Sequence, residues 1–325
     1  AARRLSGSAT VPPTVDPRLG VPGESMPKLS EGAPKVGSTM GKTVKRAASG
    51  LVLQVGPDVG ALGDRLVAAL AAATSGPFEA PLVLTPGAGV RRWVSQHIAR
   101  RSDPGGAGIC TGVAFEASGR LPNLLTGSDP ADDPWAPERL VWPILSLADA
   151  GSGPLEPLTK HLAANEQRYA NALRVARLLD RYARYRPALL EAWLGGEGAD
   201  LGYDAWQPAL WRALHEAIDA PDPVERADRL RRGLLDESVP VPWPAVMLVL
   251  PRHIAPGEVD LLGALARRVP VHAFVYRPDP PVGTFPLRQR LGGRADDVVA
   301  ALEPVADRVE RVGVPGRVAQ VEVHA

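Results

Sequence analysis

The order of apolar segments predicts an α/β fold, a parallel sheet interrupted by a helical insertion. Short apolar runs alternate with helix-period segments over residues 51–101, and again over 245–276. Between those blocks the pattern is helical throughout.

The elements follow in order. LVLQVG (51–56) predicts a strand, and residues 58–74 carry apolar positions at helical spacing. APLVLT (80–85) predicts a second buried strand, Pro86–Gly89 a turn, and VRRWVSQHIARR (90–101) a helix. A glycine-rich loop occupies 103–108. Helices are then predicted at 138–150, 155–163, 165–185, 187–194, 205–218 and 223–235. Pro187 suits the first position of its helix, where a missing N–H costs nothing. AVMLVL (245–250) and VPVHAFVY (269–276) return to strand around a helix at 256–268. In the last segment RADDVVAALEPVADRVERV is helix-like apart from Pro304, and RVAQVEVH alternates like a strand. The domain reading is an α/β domain over 51–110 and 240–282, a helical insertion over 111–239, and a tail at 283–325 with no assigned place.

Residues 1–50 read as a disordered extension, rich in Pro, Gly, Ser and Thr with no sustained apolar period. Four of the five lysines lie there; from residue 51 onward Lys160 stands alone against 28 arginines. The first residue is not Met, which fits a fragment. A net charge of +1 gives no case for nucleic acid by itself, so any such role rests on local clustering. One cysteine, Cys110, excludes an internal disulfide framework and fits a reducing, cytoplasmic compartment. No apolar run reaches the roughly 18 residues of a membrane span, and no secretory leader is visible, so no membrane partner is expected.

The strand-to-helix turn LVLTPGAGVRRWVSQ (82–96) sits where a phosphate loop could sit. A hydrolytic loop needs Gly-x-x-x-x-Gly-Lys-[Ser/Thr], with the lysine on the β/γ-phosphates and the hydroxyl on Mg²⁺. Here Pro86, Gly87, Ala88 and Gly89 are followed by Val90, Arg91 and Arg92, so lysine and hydroxyl are both missing. The dinucleotide fingerprint fails too, because Arg92 replaces its third glycine. The turn reads as a degenerate phosphate loop. No catalytic or metal set emerges: the six histidines and Cys110 lack ligand spacing, there is no Gly-x-Ser-x-Gly, and Leu158 stands two residues before Lys160, where an acid–x–Lys nuclease element needs an acid.

The 165–186 helix carries Arg174, Arg177, Arg181 and Arg184 within about 80° of arc at 100° per residue. Val175, Leu178, Leu179, Tyr182 and Tyr185 form the other side. Such a row suits a phosphate backbone; it equally suits a solvated face paired with neighbouring acids. The tryptophans read mostly as core, with Trp93 the exception because it lies one turn past the degenerate loop.

Five stretches, in order, resemble the N-terminal part of the RecC family, the gamma subunits of exodeoxyribonuclease V (RecBCD). They are LVLTPGAGVRRWVSQHIA (82–99), the phenylalanine of GVAFEASGRL (112–121), RLLDRYARYRPALLEAW (177–193), WQPALWRALHE (206–216) and residues 246–280. The most specific residues are Asp180, Tyr182, Tyr185-Arg186-Pro187, Trp193, Trp206-Gln207 and Leu210-Trp211. The resemblance implies a superfamily 1 helicase-like domain whose ATP site has decayed, with a 1B-type helical insertion. It implies a non-catalytic subunit that guides the unwound 3′-ended strand and scans it for Chi, in double-strand break repair. Carried over by position, Pro86, Ala88, Arg92, Arg177, Leu178, Asp180 and Arg186 would line that path. Pro86 and Ala88 stand where enterobacterial members have polar side chains, and Arg177 where they have an acid, so the same sequence specificity is not implied. Expected partners are RecB-like and RecD-like subunits and single-stranded or duplex-end DNA. ATP and Mg²⁺ would belong to the partner subunits, and this chain would hold no cofactor. Two alternatives stay open: a nucleotide-dependent enzyme with an atypical loop, and an interaction-only fragment that binds no DNA.

Overall fold

The computed structural model describes residues 49–74, 76, 78–102, 105, 108–151, 153–163, 167–198, 201–278, 286–312 and 322–323. The expected disordered extension lies outside the described residues except for Ser49 and Gly50. Within them the chain is α/β, built on a six-stranded parallel sheet and eleven α-helices.

Strand β1 (Gly50–Gly56) leads into helix α1 (Val59–Ala73), and β2 (Leu82–Thr85) into α2 (Ala88–Ser102). A third strand, β3 (Ala114–Ala117), pairs parallel to β2 and ends in the short helix α3 (Leu121–Thr126). Seven helices thus separate β3 from the next strand. After α3 they are α4 (Pro137–Asp149), α5 (Glu156–Ala163), α6 (Arg168–Tyr185), α7 (Pro187–Leu194), α8 (Trp206–Ala217) and α9 (Pro223–Leu235). Strand β4 (Val246–Val249), helix α10 (Pro256–Ala266) and strand β5 (Pro270–Tyr276) rebuild the sheet. Helix α11 (Pro286–Leu302) brings the chain back once more to β6 (Arg308–Arg311), and β7 (Glu322–Val323) runs antiparallel to it.

The order is β3-β2-β4-β5-β1-β6-β7. Alternation along the strands decides the two faces. Leu51, Leu53, Leu82, Leu84, Val246, Leu248, Val271 and Ala273 share one apolar cluster with residues of α3, α9, α10 and α11. Val83, Met247, Val249 and Phe274 face the other way, against Leu66 and Leu70 of α1 and Val94 and Ile98 of α2. A separate core joins α4 to α8, around Trp135, Ile144, Leu162, Leu190, Trp193 and Trp211. Leu230 and Leu234 of α9 pack under the sheet, while Val224 at its start belongs to the helical core.

Two strands escaped the sequence pattern. The AFEA of β3 lies within the stretch that the sequence assigns to the helical insertion, because four half-exposed residues show no period. Strand β6 fell in a stretch read as helix; Pro304 ends that helix, and Asp307 turns the chain into the sheet by accepting the Leu51 N–H (2.6 Å) and donating its own N–H to the Leu51 carbonyl (2.8 Å).

Candidate nucleic-acid interface

Two strand-to-helix turns open on the same face of the sheet. After β1, Asp58 is the N-cap of α1, and its carboxylate accepts from the backbone N–H groups of Gly60 (2.7 Å) and Ala61 (3.2 Å). The helix end that could hold an anion is thus filled by an anion of the chain itself. Gly56 is obligatory for another reason: a Cβ there would lie 2.2 Å from the Val312 carbonyl oxygen.

The turn after β2, residues 86–89, is more open. Thr85 is buried, Pro86 half-buried, and Gly87, Ala88 and Gly89 are exposed. A Cβ added at Gly87 or Gly89 would meet nothing within 4 Å, so the surrounding fold does not demand glycine there. Gly87 precedes α2 and has no side chain to cap it; its carbonyl accepts from the Arg91 N–H at 3.1 Å. The Arg91 guanidinium lies 5.5 Å from the centre of the Phe115 ring, held beside β3, while Arg92 is exposed. Trp93 is half-buried in the apolar cluster, its ring 5.2 Å from that of His97. His97 lies 2.9 Å from the Asp64 carboxylate of α1.

Strands β2 and β4 are neighbours, yet their following helices pack on opposite faces, α2 on one and α10 on the other. Such a switch point opens a crevice at the carboxyl ends of the strands. Only a small hollow, of about 20 Å³, lies there, with Leu84, Leu248, Leu261 and Leu262 beneath and His253 and Glu258 among its walls. Glu258 is engaged in capping α10, accepting from the Ala255 N–H at 3.0 Å. The hollow is mainly apolar and brings no lysine and no arginine to a phosphate.

Helix α6 presents the cations. Arg174, Arg177, Arg181 and Arg184 are all exposed, opposite a buried side made of Asn171, Ala172, Val175, Ala176 and Leu179. The four arginines differ in their surroundings. Arg177 lies 3.6 Å from Glu138 of α4, and Arg184 lies 3.2 Å from Asp180 one turn back. Arg174 reaches only the neutral Asn171 amide oxygen (3.1 Å), and Arg181 has no ion pair among the described residues. Leu178 is half-buried, and Arg186 is exposed at the C-terminal cap, its N–H on the Tyr182 carbonyl (2.7 Å). The Tyr182 hydroxyl donates to the Gln207 side chain of α8 (3.1 Å), which fixes the last turn of α6 to the helical core.

Sequence reasoning missed Trp142. The apolar pattern of its helix predicts a core residue, yet it is 65% exposed. The signal was available: at 100° per residue Trp142 points about 145° away from the centre of Leu140, Val141, Ile144 and Ala148, the buried side of α4. Among the described residues no group of His, Cys, Asp and Glu could hold a metal ion, and no helix is long and apolar enough to cross a membrane. Cys110 is a free thiol whose pKa burial pushes up, with a Ser95 hydrogen bond opposing.

Comparison with known proteins identifies the chain's relatives. The family model described as RecC, N-terminal domain, matches residues 54–283. The RecBCD enzyme subunit RecC of Mycobacterium tuberculosis is 38% identical over 236 residues, covering 67% of this chain and 21% of that protein. The same subunit from Mycolicibacterium smegmatis is 37% identical over 231 residues, covering 67% and 20%. That of Haemophilus influenzae is 21% identical over 241 residues, covering 62% and 21%. The chain therefore spans about a fifth of the length of these relatives. With the matched region taking in strands β2 to β5 and the whole helical unit, well over half of the chain, the chain belongs to the RecC family.

Proposed function

We propose that this chain is the N-terminal, non-catalytic part of a RecBCD-type helicase–nuclease in DNA repair and recombination, and that it guides the unwound 3′-ended strand. RecB-like and RecD-like subunits would supply ATP hydrolysis and cleavage, with their own Mg²⁺. The exposed row Arg174, Arg177, Arg181 and Arg184 on one rigid helix is the observation that carries the reading. Guanidinium groups at helical spacing suit a phosphate backbone and impose no sequence preference. The turn at 86–92 supports a decayed helicase-like site, since it has a strand, a turn and a helix but neither the lysine nor the Mg²⁺ hydroxyl. Pro86 and Ala88 offer no side-chain hydrogen bonds, so any scanning for Chi at this turn would use Arg92 and backbone groups.

The test is fluorescence anisotropy of a labelled oligothymidylate with the full chain, from about 50 to 200 mM salt. Replacing all four arginines by alanine should weaken binding and flatten log K against log [salt] by up to roughly 3, at about 0.7 per phosphate contact on a single strand. An unchanged slope would remove α6 from the strand path.

A further inference from the structure

The seam between α4 and α6 carries an unusual pair of rings. Trp142 is the one exposed tryptophan among the described residues, and Tyr169 beside it is 47% exposed. Their centroids are 6.0 Å apart with planes 57° to each other, so neither ring is closed off by the other. Ion pairs clamp the same two helices, Glu138 to Arg177 and Asp149 to Arg168, and Trp142 lies between Glu138 and Asp149 along α4. Isolated exposed hydrophobic residues need no explanation. Here, however, two large aromatics share one spot, held by packed helices at the start of the arginine row. From Tyr169 to Arg184 the strip covers roughly 22 Å at 1.5 Å per residue.

Aromatic faces beside a cationic groove are the pairing by which proteins hold single strands: guanidinium groups track the backbone, while rings stack on bases of any sequence. We propose that Trp142 and Tyr169 form a stacking site for unpaired nucleobases at the N-terminal end of the α6 arginine row. The proposal rests on the strand-guiding reading. It adds a contact of a different kind, to the base and not the phosphate, and so a different dependence on salt.

The experiment uses the full chain and two labelled oligonucleotides of equal length, oligothymidylate and its abasic counterpart. Wild type should prefer oligothymidylate. Trp142→Ala with Tyr169→Ala should bind oligothymidylate roughly tenfold more weakly, in line with base–aromatic stacking, and bind the abasic strand as wild type does. Its salt slope should not change, and Trp142→Phe should restore most of the affinity. Neither side chain belongs to a buried core, so circular dichroism and the urea midpoint should match wild type. If the double variant binds oligothymidylate normally while the arginine variant does not, the stacking site is refuted and strand guidance stands. If wild type binds neither oligonucleotide, strand guidance fails and the stacking site fails with it. If the double variant keeps its DNA affinity but no longer co-purifies with a RecB-type subunit, the seam is a protein interface and the proposal is overturned.

Discussion

Tyr185, the last residue of α6, stacks on His253 in the loop after β4, with ring centroids 6.5 Å apart and planes 30° to each other. His253 also lines the hollow at the β2/β4 switch point. The pair therefore ties the end of the arginine helix to the carboxyl edge of the sheet, and its coupling can be measured. Tyr185→Ala and His253→Ala, singly and together, should show a coupling of about 0.5–1 kcal/mol in urea unfolding. Additive effects would mean that the rings are neighbours without being partners.

The four arginines of α6 should not contribute equally. Glu138 opposes the charge of Arg177, whereas Arg181 has no ion pair among the described residues. Arg181→Ala should lower the salt slope of oligonucleotide binding by about 0.7, the amount expected for one phosphate contact, and Arg177→Ala by less. Glu138→Gln should then raise affinity by releasing Arg177. If Glu138→Gln weakens binding, the acid positions Arg177 for the strand and does not compete with it.

Most of this architecture was legible because its signals are local. Helix α9 has the bounds that the sequence predicts, 223–235, since Asp222 is followed by Pro223 and then an apolar stripe; in the structure Asp222 accepts from the Val224 (2.7 Å) and Glu225 (3.0 Å) N–H groups. The buried strands β1, β2, β4 and β5 announced themselves as apolar runs between turns. What failed was non-local. Strands β3 and β6 are short and half-exposed, and only pairing with β2 and β1 makes them strands. The site was legible in part for the same reason: helical period put the four arginines outward, but nothing in the sequence says that Glu138 faces Arg177 or that Tyr169 meets Trp142.

The N-terminus of α1 gives a prediction about stability. Asp58 accepts two backbone N–H groups there. Asp58→Ala should cost about 1 kcal/mol, while Asp58→Asn, which keeps an acceptor oxygen, should cost much less. Equal losses would assign the effect to charge at the helix end and not to the cap hydrogen bonds. Neither variant should acquire ATP turnover, because no lysine or Mg²⁺ hydroxyl follows in the turn.

The same sheet holds a pH-sensitive contribution at His272. Its Nδ1 is buried without a hydrogen-bond partner among the described residues, on β5 beside β1. Burial lowers its pKa below the usual 6.5; Glu310 on β6 works against that shift, and Arg308 works with it. The folded state therefore holds the imidazole neutral under conditions where the unfolded chain binds a proton. By linkage, this stability is fully present above about pH 6.5 and is lost as the pH falls from there through the lower folded pKa. The loss inside that window is at most about 1.4 kcal/mol per pH unit. His272→Val removes the titrating group and keeps a residue suited to a strand. Urea midpoints measured from pH 8 down to pH 5 should show wild type falling below pH 6.5 more steeply than His272→Val. Parallel profiles would show that His272 does not titrate differently in the two states, and a wild-type midpoint that rises on acidification relative to the variant would mean that Glu310 outweighs burial.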